Sequence, residues 1–288
     1  MTVRLGGVVI TNPSKPFWPA EGLTKLDLAQ FYARIASQIL PWLKGRPVTM
    51  ERCPDGARKT CFYQLQAPHN LPDGVPTMNL PAPADHRDVD YIIGGTRKTL
   101  LTLVNYGCIA MHVMNSRTDH LDRPDWLAFD LDPSDGFESA ARAALLLRDR
   151  LEDHGLESFP KTSGGRGLHV FVPLRRGAAQ DQVHAYAAAI ARELAAQHPK
   201  VVTVESRKAK RLAPVYLDIM RNATGQTIVP PFSVRWQPFA PVSMPLSWDE
   251  VSPRLNPGIF NIRTAERRMA RKSPWSRFFG HRQTLPRI

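Results

Sequence analysis

One stretch constrains this chain more than any other. Residues Trp126 to Pro133 read WLAFDLDP, an apolar run ending in two aspartates, Asp130 and Asp132, with a single leucine between them. Side chains two apart on a strand share a face. A strand here therefore brings both carboxylates to one spot and turns Leu131 into packing on the other side. Two like charges this close repel, and one is driven towards protonation unless a cation lies between them. Oxygen ligands of this kind suit magnesium or manganese. A solvated acidic turn, closed by Pro133 and Asp135, satisfies the same local pattern.

The segments that follow resemble the opening of a βα unit. Glu138 to His154 has the apolar stripe of a helix, with Asp135 as a capping candidate and Gly155 as its stop. Next comes KTSGGRGLHVFVPL, Lys161 to Leu174. Gly164, Gly165 and Gly167 free the backbone to approach a ligand, and Ser163 and Arg166 add donors suited to phosphate. The loop is no P-loop, because the Gly-Lys-Ser/Thr ending is missing, and a plain glycine-rich hairpin turn fits as well. His169 shares a strand face with Phe171. A second helix is expected over Asp181 to Gln197. After it the basic run Arg207, Lys208, Lys210, Arg211 leads into VYLDIMRN, Val215 to Asn222. Asp218 lies inside that apolar strand, where an unpaired carboxylate is costly. Either it pairs with a nearby cation, or it completes a metal site with Asp130 and Asp132.

Upstream, a strand over residues 3 to 10 turns at Asn12-Pro13. Thr24 caps a helix expected from Lys25 to about Leu40. Strands are expected over Pro47–Arg52 and Lys59–Gln66, with a turn at Pro54-Asp55-Gly56 between them. Phe62 and Tyr63 are adjacent, so one is expected in the core and the other free to stack on a base. Leu71 to Asp88 reads as a loop. Tyr91 to Ile93 reads as a short strand, Thr96 to Tyr106 as a helix, and Ile109 to Met114 as a strand. His112 on that last strand is by its pattern a hydrogen-bonded core residue more often than a catalyst. Ile228 to Arg235 reads as a further strand, followed by a Pro-rich and then Arg-rich end.

Lys and Arg number 38 against 26 Asp and Glu, a net charge of +12. Such an excess favours a polyanionic partner through phosphate neutralisation and counterion release. No segment is apolar for the length of a bilayer, and no basic amphipathic helix suggests a membrane surface. Cys53, Cys61 and Cys108 are odd in number and contain no CxxC pair, so they are read as reduced thiols of a cytoplasmic protein.

Together these motifs resemble the polymerase domain of the bacterial multifunctional ligase D, within the archaeo-eukaryotic primase superfamily. The resemblance runs from about Val8 to the C-terminus. It rests on PDWLAFDLDP, TSGGRGLHV and YLDIMRN in that order, together with MHVMNSR (Met111 to Arg117), Lys15 in TNPSK and Lys25 in TKLD. It implies an α+β fold with an RRM-like catalytic sheet. Residues 121–235 would form the catalytic core, 1–120 a smaller N-terminal αβ module, and 236–288 a basic C-terminal extension. By the same resemblance Asp130, Asp132 and Asp218 hold two Mn2+ or Mg2+ ions, with His169 beside them in the catalytic set. Ser163, Gly165, Arg166, Gly167, His169, Arg211, Arg235 and His112 would meet the nucleotide. Arg166 stands where the family usually has lysine, keeping the charge but changing its geometry. Met114 stands where the family often has tryptophan. Phe62 and Tyr63 match a pair that contacts bases.

Lys15 and Lys25 read as solvated surface lysines from pattern alone. The resemblance makes them holders of a gap's 5′-phosphate. The implied activity is template-directed filling of gaps and broken ends during non-homologous end joining, with ribonucleotides accepted. The implied partners are gapped or broken DNA, NTPs or dNTPs, a Ku-type end-binding protein and a DNA ligase, and the implied location is the bacterial cytoplasm at the nucleoid. The alternatives are a primase starting chains de novo, a metal-dependent phosphoesterase using the same carboxylates, and a non-enzymatic DNA-end docking module.

Overall fold

A computed structural model describes residues 1–85 and 87–286. The chain divides into two compact units. The first comprises Met1–Asp119, Thr227–Ser243 and Gly258–Ala270, and the second His120–Gln226, Met244–Pro257 and Arg271–Ile288. The expected core boundary at Arg235 thus falls within a segment grouped with the first unit.

The second unit is built on the WLAFDLDP run, which is the central strand of a five-stranded sheet. Across the sheet the order is Phe159–Thr162, Leu168–Pro173, Trp126–Pro133, Val215–Asp218, Val202–Thr203. With the helices Phe137–Asp153 and Gln180–Gln197 inserted between strands, this is the split βαβ arrangement of RRM-like domains. The helices pack on the central strand through small and aliphatic residues, among them Ala140, Ala144, Leu147, Val183, Ala187 and Ile190. The strand's other face carries Trp126, packed against Phe171 and Phe278. Asp130 and Asp132 follow Trp126 on that face by alternation. The expected cap at Asp135 is not made: Gly136 is the helix N-cap, and Asp135 instead accepts from Ser139 Oγ.

The strand Val215–Asp218 ends early, in a 3-10 turn over Met220–Asn222 rather than a strand to Asn222. The Asn222 side chain takes over the pairing. Its Oδ1 accepts from Ala128 N at 2.8 Å and its Nδ2 donates to Ala128 O at 2.7 Å, all of it buried. Asn222→Ala is therefore expected to cost roughly 2–4 kcal/mol, because both backbone groups of Ala128 lose their partner inside the core. Urea unfolding checks this, and a cost near zero would show that water replaces the amide.

The first unit holds, among the described residues, a six-stranded sheet. Its path runs Thr227–Ile228, Cys108–Met114, Pro47–Arg52, Asp88–Ile93, Thr77–Pro81, and Phe62–Gln64 pairs with Pro47–Arg52 off that path. Several expectations change here. The helix starting at Lys25 has its capping box (Thr24 with Asp27) but splits at Ile35 into Lys25–Arg34 and Ala36–Leu43. The second piece carries Pro41, which has no amide to give the helical ladder. Leu71–Asp88 is not all loop: Thr77–Pro81 is a strand, bracketed by prolines and too polar to signal itself by apolar alternation. Ile228–Arg235 is not one strand. Pairing stops at Ile228, because Pro230 and Pro231 offer no ladder donors.

Cys53 and Cys61 are not reduced thiols but a disulfide, leaving Cys108 as a buried free cysteine. Register explains the pairing. Arg52 lies opposite Phe62 in the hairpin, so the next residues outward, 53 and 61, face each other across the turn. No described helix is long and apolar enough to cross a membrane.

Candidate active site

Asp130 sits at the middle of a row. Its backbone is in register with His169 on one neighbouring strand and with Asp218 on the other. Antiparallel partners project to the same face, so the three side chains stand in a row on one face of the sheet. His169 Nε2 lies 3.3 Å from Asp130 Oδ1. Arg221 bridges the two acids, with Nε 3.6 Å from Asp130 Oδ2 and an amino nitrogen 3.3 Å from Asp218 Oδ2. Asp218 Oδ1 also accepts from Met220 N at 2.8 Å. Asp132 is more exposed and faces Arg211 at 3.9 Å, whose guanidinium lies 4.1 Å over the Tyr216 ring.

The two inner carboxyls are tuned in opposite directions. Burial would raise that of Asp130, but His169, Arg221 and Lys161 outweigh it and hold it at about 2. Burial raises that of Asp218, and the nearby carboxylates of Asp130 and Asp132 add to the rise against Arg221. That is how an acidic centre behaves when its like charges exceed the cations available to it. Its hard oxygen donors fit Mg2+ or Mn2+. Among the described residues no three His, Cys, Asp or Glu side chains close on a common point; Arg221 lies against Asp130 and Asp218, and Arg211 3.9 Å from Asp132.

The glycine loop seals one edge. Ser163 N donates to Gly167 O, and Ser163 Oγ accepts from the amides of Gly165 and Gly167 at 3.1 and 3.2 Å. The serine thus folds the loop itself. Gly164 holds φ at +79°, and a Cβ on Gly167 would stand 2.3 Å from Leu131 O, so only glycine lets the loop lie against the acidic strand. Arg166 is exposed at the tip.

The other expected residues lie in the first unit. There His112 Nε2 donates to Glu51 Oε2 at 3.2 Å, and Arg235 Nε lies 3.5 Å from the same oxygen. Glu51 is buried, yet its carboxyl is lowered: desolvation pushes it up, and His112, Arg235 and Tyr63 together pull it further down. Glu51, Lys59, Phe62, Tyr63, Arg235 and Trp236 are among the residues lining a cleft of about 440 Å³. Neither Phe62 nor Tyr63 is core, as they are 42% and 61% exposed. Their strand is short, lies off the main path of the sheet and pairs with Pro47–Arg52.

Lys15 is partly exposed and paired with Asp55 at 2.8 Å. Lys25 is not a solvated surface lysine. It is buried, and its Nζ donates to Thr11 O, Asn105 Oδ1 and, at 3.4 Å, Thr11 Oγ1. Burial, with help from Lys15, lowers it to about 8.

Four residues of these clusters carry no assignment from sequence: Lys161, Arg221, Glu51 and Asn222. A signal existed for Lys161 alone, since a hairpin centred on Gly165 pairs residues 161 and 169. Glu51, Arg221 and Asn222 declare themselves only through partners on other strands.

A family model described as the LigD primase-polymerase domain matches residues 24–275. The multifunctional non-homologous end joining protein LigD of Pseudomonas aeruginosa is 32% identical over 97% of this chain and 34% of its own length. The bifunctional LigD of Bacillus subtilis is 32% identical over 96% of the chain and 45% of its own. This chain therefore spans between a third and a half of these relatives. The solved polymerase domain of Mycobacterium tuberculosis Ligase D, in complex with DNA, superposes with a TM-score of 0.87. The two are 27% identical, over 96% of this chain and 99% of that one.

Proposed function

The chain belongs to the LigD primase-polymerase family, and from that membership we propose that it is a template-directed nucleotidyltransferase. It fills gaps and extends broken ends during non-homologous end joining, and accepts ribonucleotides as well as deoxyribonucleotides. The observation that carries this reading is the row His169–Asp130–Asp218, set in register across three strands beside a glycine loop with a phosphate-ready arginine.

Asp130, Asp132 and Asp218 would hold two Mn2+ or Mg2+ ions. The chemistry such a pair supplies when bound is activation of a primer 3′-hydroxyl and neutralisation of the leaving pyrophosphate. The chain's own groups do the rest. Ser163 and His169 donate to the triphosphate, Arg166 and Arg211 offer it bidentate charge, and Arg221 balances the acids. In the first unit, His112 and Arg235 beside the cleft bind the nucleotide, while the exposed rings of Phe62 and Tyr63 stack on bases. The charge of +12 carries template and primer. A Ku-type end-binding protein and a DNA ligase are its partners at the bacterial nucleoid.

Incubation with a gapped duplex, manganese and labelled nucleotides tests the reading. Elongated primer with pyrophosphate release is expected. Release of mononucleotides would indicate a phosphoesterase, chain synthesis without a primer would indicate a primase, and DNA binding without turnover would leave a docking module.

Lys15 gives a second test. A 5′-phosphate can replace Asp55 at its ammonium, a charge-assisted contact on the order of 1.5–3 kcal/mol. Wild-type protein should bind a 5′-phosphorylated gap roughly tenfold or more tightly than a 5′-hydroxyl one. Lys15→Ala should erase that difference and spare extension on a simple primer–template. Lys25 spends its donors inside the unit, so Lys25→Ala should lower stability as well. Equal affinity of the wild type for both gaps at one salt concentration would sink the phosphate-holding role.

A further inference from the structure

Among the described residues four large aromatic side chains are exposed, Phe62, Tyr63, Trp236 and Phe239, and they come from only two short segments. Phe62, Tyr63 and Trp236 line the same cleft of the first unit, together with Lys59 and Arg235. Phe239 follows Trp236 in the same loop and is 68% exposed. The two rings of the strand are backed by neighbours. The Arg52 guanidinium lies 5.6 Å from the centre of the Phe62 ring, and Tyr63 meets His112 edge to face at 5.1 Å.

The loop that carries the other two rings is tied down on every side. Buried Trp18 donates from Nε1 to the carbonyls of both Trp236 and Gln237 at 3.1 Å. Glu21 Oε1 accepts from Phe239 N at 3.0 Å, and Ala240 O accepts from Ile262 N at 3.0 Å. Phe239 and Ala240 are consecutive residues at φ +68° and +49°, a left-handed conformation that a bulky side chain rarely adopts. Backbone strain kept in place by surrounding hydrogen bonds points to a use for the side chain it presents. The same N-terminal segment holds the hairpin before Phe62. Ala57 N donates to Phe17 O at 2.7 Å, and Lys15 pairs with Asp55 at 2.8 Å. One segment thus anchors both aromatic elements, so the platform is organised before a ligand arrives.

We propose that Trp236 and Phe239 form, with Phe62 and Tyr63, a stacking platform for the unpaired bases of a single-stranded nucleic acid. Every base has a face that can stack on an aromatic ring, and rings set among cations are how sequence-tolerant single-strand sites are built. Lys59 and Arg235 line the cleft and the whole chain carries +12, which favours a polyanion over an apolar protein segment. Naming that strand a template overhang rests on the polymerase reading; the stacking itself does not.

Affinities of the full chain for an oligothymidylate and for a blunt duplex, at one salt concentration without metal or nucleotide, test the platform. Trp236→Leu and Phe239→Leu keep apolar bulk and remove the ring. Each should weaken single-strand binding roughly tenfold, as for loss of one stacked base, and leave duplex binding unchanged. Trp236→Phe should restore most of the affinity. Irradiation of the wild type with an oligothymidylate containing one 5-iodouracil should place adducts on Trp236 or Phe239. Unchanged single-strand affinity in both Leu variants overturns the proposal, as do equal losses for strand and duplex. Variants that lose self-association but not single-strand binding overturn it too, because the surface would then join copies of the chain. If the Leu variants fail to fold, the wild-type adducts decide, and their absence from both rings overturns the proposal. A wild type that passes these tests but extends no primer refutes the polymerase reading instead.

Discussion

Asp130→Ala is expected to abolish primer extension, by roughly 10³-fold or more, because on the proposed two-ion reading Asp130 would be one of the carboxylates holding the ions, and those ions would supply several kcal/mol of transition-state stabilisation. DNA affinity should hold or rise, since a negative charge leaves a phosphate-binding cleft. Extension assays and binding isotherms on one gapped duplex read both quantities, and substantial extension by the variant would remove the two-ion reading. The same carboxyl also stabilises the fold. Its folded value is depressed to about 2, below the 3.8 of a free aspartate. The stabilisation is therefore present above pH 3.8 and is lost as the pH falls towards 2. The interval corresponds to on the order of 2 kcal/mol. Asp130→Asn should unfold at lower urea than wild type at pH 7, and the gap between them should close as the pH drops through that window.

Asp218→Asn should do the opposite to stability and the same to activity. Extension should fall by roughly 10³-fold, again because the proposed metal set would lose a carboxylate. In metal-free buffer, however, the variant should melt higher than wild type. The folded carboxyl of Asp218 is raised by burial and by Asp130 and Asp132, so the fold prefers it protonated. That preference contributes stability at low pH and disappears as the pH rises through the folded value. At neutral pH the ionised group is a liability which an amide removes. The amide can also still accept from Met220 N. Added Mn2+ should raise the melting temperature of wild type and leave that of the variant nearly unchanged. A lower melting temperature for the variant without metal would mean that Arg221 compensates Asp218 fully.

What could be read without coordinates was what local periodicity controls. Alternation along Trp126–Pro133 puts Asp130 and Asp132 on one face whatever they pack against, and the glycines after Ser163 require a close approach. Both features appear in the structure. The order of the acidic blocks was likewise enough to indicate the family and its α+β sheet. Register, saturation and closure belong to the tertiary structure. No local pattern says that Asp130 will face His169 on one side and Asp218 on the other, because sliding a strand by one residue exchanges its faces and only the packed sheet forbids it. The sequence shows Lys15 and Lys25 as two similar cations. The fold spends the second on Thr11 and Asn105 and leaves the first partly exposed beside Asp55. Cys53 and Cys61 look unpaired along the chain and meet only when the hairpin closes. Lys161 reads as an ordinary charged residue before a turn. Its complete burial, with Nζ 2.8 Å from His169 Nδ1, joins it to a partner eight residues away that only strand pairing delivers.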